Sequence, residues 1–271
     1  MTLSNLQKDR IIECLESKKR MDGRKLDEFR EIKAELGISQ NAEGSCSVKI
    51  GETEVWAGVK MEVIEPYPDS RDEGTFVTSA ELSPMASQDF EMGPPKIDAI
   101  ELGRIIDRGI RESGFIDFKK LCIKEGEKVW QIYLDIFAIN DDGNLLDAAG
   151  LAALVALANS KMPVYDEESG KPKHELSSEG IPLDKDAMAF NMTFHKIDNT
   201  FIVDPSKEEE EASDFRISLA MADNKGEPRI TSIQKGKEAA VSLEEIETIL
   251  KTAEIKWREM FPQIMEQVWG K

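Results

Sequence analysis

The chain has 271 residues, 40% of them hydrophobic, with 35 Lys and Arg against 53 Asp and Glu and a formal net charge of -18. The length predicts roughly two domains of 150 residues each, and the hydrophobic content argues against wholesale disorder. So acidic a composition argues against a stand-alone nucleic-acid-binding protein, because neutralising phosphates needs clustered Lys and Arg. A local basic patch, or a basic partner that completes a site, remains compatible with it.

Cysteine usage and hydropathy indicate the compartment. Cys14, Cys46 and Cys122 are odd in number and form no CxxC pair, so we expect a reducing cytosol with neither a zinc site nor a disulfide framework. The N-terminus is polar and charged, unlike a secretory signal. The longest apolar run, 145–158, is too short and too interrupted to span a bilayer. We therefore expect a soluble, cytoplasmic protein with no membrane partner.

The first half mixes strand and helix patterns. In chain order, its predicted elements are a helix over 4–18, strands between 32 and 64, a loop over 66–74, a strand over 75–82, an arginine-bearing helix, and a strand over 129–139. Within the early strands, residues 47–56 indicate a hairpin with the two-residue turn Gly51-Glu52. Asp147 is expected to cap a helix to about residue 160, apolar enough to be buried on nearly every side.

The second half repeats the order of strands first and helices last. The stretch 161–186, with three prolines and several charges, is predicted to be a linker between residues 1–160 and 187–271. Predicted strands lie at 187–196, 201–204, 215–222 and 229–234. A capping box beginning at Ser242 opens a long final helix, with Leu243 on its buried face and Pro262 expected to bend or end it. The predicted class is α+β in two halves of mixed sheet with packed helices.

Three arginines form a row in the helix that follows the 75–82 strand. Arg104, Arg108 and Arg111 are spaced i, i+4 and i+7, so they share one helical face, and isoleucines supply an apolar face for packing. A basic row in so acidic a chain suggests an anionic ligand. The alternative is salt bridging within the helix, to Glu101 and Asp107, and composition leaves both interpretations open.

Other catalytic signatures are missing or ambiguous. The sequence has no Walker A loop, GxGxxG turn, GxSxG elbow or HExxH helix, and we interpret His174 and His195 as structural or solvated. The acidic run 208–211, with Asp204 before it and Asp214 after it, has two interpretations. One is a divalent-metal site of oxygen ligands, and the other, which composition favours, is a solvated acidic loop between two strands.

Several motifs together resemble one family. They are Arg20-Met21-Asp22-Gly23-Arg24 followed by Arg30, Gly44-Ser45 ahead of the 48–56 hairpin, the segment 100–108 (IELGRIIDR), and 130–135 followed by Asp142-Gly143-Asn144 and the apolar 147–159 helix. From Arg20 to the final helix the chain resembles the RNase PH family. Within it, the pattern is similar to the non-catalytic RNase PH-like subunit of the archaeal exosome ring. The resemblance implies an RNase PH-like fold whose N-terminal half resembles domain 2 of ribosomal protein S5.

The resemblance also implies a reaction and exposes a departure from it. In the family, phosphate attacks the 3′-terminal phosphodiester of RNA and releases a nucleoside diphosphate, which needs a cationic clamp and a carboxylate-bound metal. Catalytic members place an arginine just before the long helix, and the matching residue here is Asp98. An aspartate at that position would repel phosphate, so Asp98 marks a lost phosphate site.

The catalytic carboxylates of the family are also degenerate here. Catalytic relatives carry two aspartates six residues apart. Counted from Asp204 the matching residues are Glu210 and Arg216, and counted from the strand that begins at 215 they are Glu208 and Asp214. On either count the first aspartate is lost, so we expect no catalytic residue, no metal and no cofactor.

What remains is the arginine row. In this type of subunit, the residues matching Arg104 and Arg108 are expected to contact single-stranded RNA beside a catalytic partner, whereas Arg111 has pairing with Asp107 as its alternative. The implied assembly is a hexameric ring of alternating subunits with RNA-binding caps, and no DNA. Two alternatives stay open: an active exoribonuclease using Glu208 or Glu210 with Asp214, or a purely architectural subunit whose arginines all pair with carboxylates.

Overall fold

A computed structural model describes residues 3–270 of the chain. Within them the helices are α1 (Asn5–Glu16), α2 (Ile97–Ser113), α3 (Leu145–Ala158), α4 (Lys207–Ala212) and α5 (Leu243–Trp269). The strands are β1 (Ile32–Leu36), β2 (Gly44–Ile50), β3 (Thr53–Ile64), β4 (Thr75–Leu82), β5 (Cys122–Lys124), β6 (Lys128–Asn140), β7 (Lys161–Asp166), β8 (Lys171–Gly180), β9 (Ala189–Ile197), β10 (Thr200–Val203), β11 (Phe215–Asn224) and β12 (Glu227–Gly236). The α+β class is confirmed.

The strands form two main sheets. The first has the order β1-β2-β3-β6-β4, with β5 beside β6, and the second has the order β10-β9-β11-β12. Only β4 and β6 pair in parallel, because α2 carries the chain across between them, whereas the other neighbours of both sheets are antiparallel. The β2–β3 hairpin turns at Gly51 and Glu52 as predicted, with Gly51 at φ +59°.

Helix α3 lies between the two sheets. It packs on β2 and β3 of the first sheet and on β9 of the second, and every residue from 146 to 157 is buried. At Gly150 an added Cβ would come within 2.7 Å of the Asn191 side-chain amide on β9, so glycine allows this close approach. The prediction of burial on nearly every side is confirmed. Helix α2 likewise contacts β4 and the second sheet, so both halves share one apolar core.

The stretch predicted to be a linker contains regular secondary structure. Residues 161–180 form the β7–β8 hairpin, whose register shifts around Pro163. Prolines are compatible with strands here because this two-stranded ladder consists only of edge strands. His174 lies exposed in β8. The domain division at 160 and 187 stays a prediction.

Two local expectations about the helices are corrected, and a third is narrowed. Asn144, not Asp147, is the N-cap residue of α3, and the buried Asp147 accepts hydrogen bonds from the Thr193 backbone N–H (3.1 Å) and hydroxyl (2.7 Å). Leu243 is 79% exposed, because it sits in the first turn of α5 ahead of the packed region. Of the two expectations for Pro262, it does not end α5, which continues to Trp269, and a bend at Pro262 stays a prediction. Among residues 3–270, no helix is long and apolar enough to cross a membrane.

Candidate nucleic-acid interface

The arginine row on α2 divides into two kinds of side chain. Arg111 is occupied: it forms a bidentate pair with Asp107 at 2.9 and 3.1 Å and donates to the Phe76 carbonyl at 2.8 Å. Its guanidinium carbon also lies 5.6 Å from the centre of the Phe118 ring. Arg104 and Arg108 are exposed, and neither forms an ion pair with any residue from 3 to 270. Pairing within the helix therefore accounts for Arg111 alone.

The carboxylates nearest to Arg104 along the helix are held by other arginines. Glu101, three residues before it, pairs with Arg216 of β11 at 2.6 Å. Asp107, three residues after it, is held by Arg111. Positions three apart on a helix are close enough to pair, so these two contacts leave Arg104 without its local partners.

Arg104 and Arg108 line a cleft of about 300 Å³ between α2 and β12. The opposite wall carries Ser232 and Gln234, and Ile233 between them is 50% exposed. The cleft thus offers two guanidinium groups, a hydroxyl and an amide beside apolar surface. Guanidinium groups match phosphate oxygens in geometry and charge, so the cleft is suited to a phosphodiester chain.

Asp98 lies apart from that cleft. It is exposed in the first turn of α2 and lines a cavity of about 250 Å³ formed with the loop 83–96. A carboxylate there interacts favourably with the N-terminal end of the helix dipole, which gives Asp98 a local structural role. Glu81 and Glu91 line the same cavity, and Lys96 is paired with Glu91. Carboxylates therefore outnumber the lysine in this cavity, and the lost phosphate site at Asp98 stays a prediction.

The acidic run forms a helix instead of the expected loop. Ser206 caps α4 and forms a capping box with Glu209, which is buried. Glu208 is exposed, whereas Glu210 accepts a hydrogen bond from the Asn144 backbone N–H at 3.0 Å. Asp214 accepts one from the Asp198 backbone N–H at 2.9 Å. Glu210 and Asp214 therefore serve separate backbone contacts. No cluster of at least three His, Cys, Asp or Glu suited to a metal ion occurs within residues 3–270.

A buried ionic network that the sequence did not reveal joins residues 20–30 to residues 204–209. Arg24 and Arg30 both pair with the Asp204 carboxylate, at 2.7 and 2.8 Å, and Arg20 pairs with Glu209. Burial acts to raise the pKa of Asp204, but the hydrogen bonds and charge of Arg30 outweigh it and hold that pKa below its usual value. The motif at 20–24 was visible in the sequence, whereas its partners lie about 180 residues away.

His195 is structural, in agreement with its interpretation from the sequence. It is 1% exposed in β9, with Nδ1 3.3 Å from the Ser213 hydroxyl. Burial, with the nearby charges of Arg216 and Lys237, lowers its pKa to about 3, so the imidazole is neutral in the folded protein.

Models of one protein family match both halves of the chain. The profile of the 3′ exoribonuclease family matches with domain 1 over residues 28–163 and with domain 2 over residues 187–256. The chain therefore belongs to the RNase PH family.

Relatives extend the match over nearly the whole chain. An exosome complex component Rrp42 from Thermococcus onnurineus is 39% identical over 268 residues, covering 98% of this chain and 97% of the relative. Its counterpart from Methanothermobacter thermautotrophicus is 42% identical over 257 residues, covering 94% and 92%. A chain of the Archaeoglobus fulgidus exosome with RNA bound to the active site superposes with a TM-score of 0.84 at 38% identity, covering 95% and 98%. A chain of an archaeal exosome core gives 0.80 at 35%, covering 95% and 97%.

Proposed function

We propose that the chain is a non-catalytic subunit of an exosome, a 3′→5′ RNA-degrading complex. It alternates with a catalytic RNase PH-like partner in a hexameric ring, completes the partner's active site and presents Arg104 and Arg108 to single-stranded RNA. Relatives named exosome complex component Rrp42 at 39% and 42% identity support membership of the complex. The observation that carries the proposal is the contrast along α2, where Asp98 occupies the expected phosphate position while Arg104 and Arg108 are unpaired.

The charge at Asp98 argues for the non-catalytic role. An anion about 4 Å from a carboxylate is repelled by roughly 4 kcal/mol at an effective dielectric constant of about 20, where an arginine would attract it by a similar amount. The candidate catalytic carboxylates offer no compensation, because Glu210 and Asp214 accept hydrogen bonds from backbone N–H groups and Glu208 is exposed.

The unpaired arginines argue for RNA contact over a purely architectural role. A subunit that only supports the ring needs no exposed, unpaired guanidinium groups, whereas a few phosphate contacts are enough to guide a short RNA strand. The remaining acidic surface suits a cytoplasmic protein whose RNA-binding caps supply further affinity. The chain itself needs no cofactor for this role.

Phosphorolysis of oligo(A) tests the catalytic status. We expect no phosphate-dependent release of nucleoside diphosphate from this chain alone, and faster release from its mixture with the catalytic partner than from the partner alone. A mixture of the partner with an unrelated acidic protein is the control for non-specific activation, and it should be no more active than the partner alone. Strong activity of this chain alone would establish the exoribonuclease alternative and refute the proposal.

A further inference from the structure

Arg216 occupies an unusual place between the helix α2 and the second sheet. It lies in β11, opposite His195 on β9 and Gly236 on β12. Its side chain is 11% exposed, and its Nη2 atom contacts the Glu101 carboxylate at 2.6 Å. Within residues 3–270 its Nη1 atom is buried without a hydrogen-bond partner. Glu101 is therefore the carboxylate that neutralises this buried guanidinium group.

Gly236 provides the space for this arrangement. A Cβ added to Gly236 would lie 2.6 Å from the guanidinium carbon of Arg216 and 2.8 Å from its Nε atom. The guanidinium group thus lies directly over the Gly236 backbone, and a side chain at that position would displace it. The absence of a side chain at Gly236 therefore determines the position of the Arg216 guanidinium group, and this group in turn determines the position of the Glu101 carboxylate.

The consequence concerns Arg104. Glu101 precedes Arg104 by three residues on α2, a spacing at which a glutamate and an arginine readily pair, and both residues line the cleft against β12. The other carboxylate at this spacing, Asp107, is already held by Arg111. A released Glu101 would therefore be the nearest anion competing with RNA phosphate for Arg104.

We propose that Arg216 is a positioning residue that keeps Arg104 available to RNA by holding the Glu101 carboxylate against the second sheet. This role rests on the proposed RNA contact of Arg104. The positioning role would also explain why Arg216 is an arginine. Its position is one of the two that match the second catalytic aspartate of active relatives. On the alignment counted from Asp204, a position that holds a catalytic carboxylate in active relatives would instead support RNA binding by a neighbouring helix.

Rescue by a second substitution tests the proposal. Binding of fluorescein-labelled oligo(A) to the full-length chain mixed with its catalytic partner is followed by fluorescence anisotropy across a series of salt concentrations. Arg216→Met should weaken binding by roughly five- to tenfold and lower the slope of log K against log salt by about 0.7, the value for one phosphate contact on a single strand. Adding Glu101→Gln should restore both quantities, because the competing charge is then gone. Arg10→Met, at an exposed arginine of α1, is the matched control and should change neither.

A purely structural brace gives the opposite pattern. Glu101→Gln breaks the same contact, so under that account the double variant would bind as weakly as Arg216→Met, and this result would overturn the proposal. Gly236→Ala displaces the guanidinium group while retaining its charge, so it decides the question if Arg216→Met does not fold. It too should weaken binding and be rescued by Glu101→Gln. Arg104→Met distinguishes the positioning role of Arg216 from the RNA contact of Arg104. If Arg104→Met weakens RNA binding and Arg216→Met does not, the positioning role alone is overturned. If Arg104→Met has no effect on RNA binding, both proposals are overturned.

Discussion

Replacing Arg20 with methionine removes a cation whose side chain is 0% exposed. Arg20 donates from Nε to Glu209 Oε1 at 3.0 Å, and to the Val203 and Asp204 carbonyls at 2.9 and 2.7 Å. The substitution leaves a buried carboxylate without its cation and two carbonyls without these donors. Removing one partner of a buried ion pair costs about 3–5 kcal/mol, so we expect a loss of that size in the free energy of unfolding. For a chain of this length, Tm should fall by roughly 10 °C.

A double-mutant cycle measures the pair itself. Glu209→Gln keeps an acceptor for the capping box of α4 but removes the charge, so it should be destabilising alone and less so beside Arg20→Met. The assay is urea and thermal unfolding of the full chain, followed by circular dichroism. Arg258→Met is the control, because that arginine is 43% exposed and solvent screens its ion pairs, so its loss should change stability far less. Strictly additive losses, or a loss from Arg20→Met no larger than that of the control, would refute the reasoning.

Three further predictions concern buried groups. His195 has a folded pKa of about 3 and an ordinary pKa of 6.5, so between these pH values the unfolded chain binds a proton at His195 and the folded protein does not. The free energy of unfolding should therefore drop by about 3 kcal/mol from pH 7 to 4.5. Urea titrations of His195→Gln should lack this pH-dependent loss. Gly44→Ala should lower the free energy of unfolding by about 1–3 kcal/mol, because the added Cβ would lie 2.6 Å from the Ala156 carbonyl oxygen; an unchanged urea midpoint would contradict this. Burial raises the pKa of the Cys46 thiol to about 12, so a thiol reagent should modify the partly exposed Cys14 and spare Cys46 in the native protein, as read by peptide mass spectrometry.

Local patterns predicted much of the fold. The 75–82 strand coincides with β4, and the turn at Gly51 and Glu52 joins β2 to β3. These features depend on side-chain periodicity and turn chemistry within a few residues, which the sequence shows directly. The continuous apolar character of α3 indicated burial on nearly every side. Only the structure shows that α3 packs against the second sheet as well as the first.

The failures share a physical cause, since each depends on contacts between distant parts of the chain. Glu209 lies in an acidic run typical of a solvated loop, yet it is buried because it pairs with Arg20, 189 residues earlier in the chain. The hairpin at 161–180 has prolines that argue against a strand, and it is an edge ladder that tolerates them. In the candidate site, spacing correctly made Asp107 a partner of Arg111, whereas the pairing of Glu101 with Arg216 across 115 residues was not visible.

The central claim is that Arg104 and Arg108 contact the phosphates of RNA that is bound to a catalytic partner. The most direct measurement is the salt dependence of oligo(A) affinity for the assembled complex carrying Arg104→Met and Arg108→Met, compared with wild type. The account predicts an affinity lower by roughly tenfold or more and a slope of log K against log salt reduced by about 1.4, for two lost phosphate contacts. An unchanged affinity and slope in a complex that still assembles would contradict it.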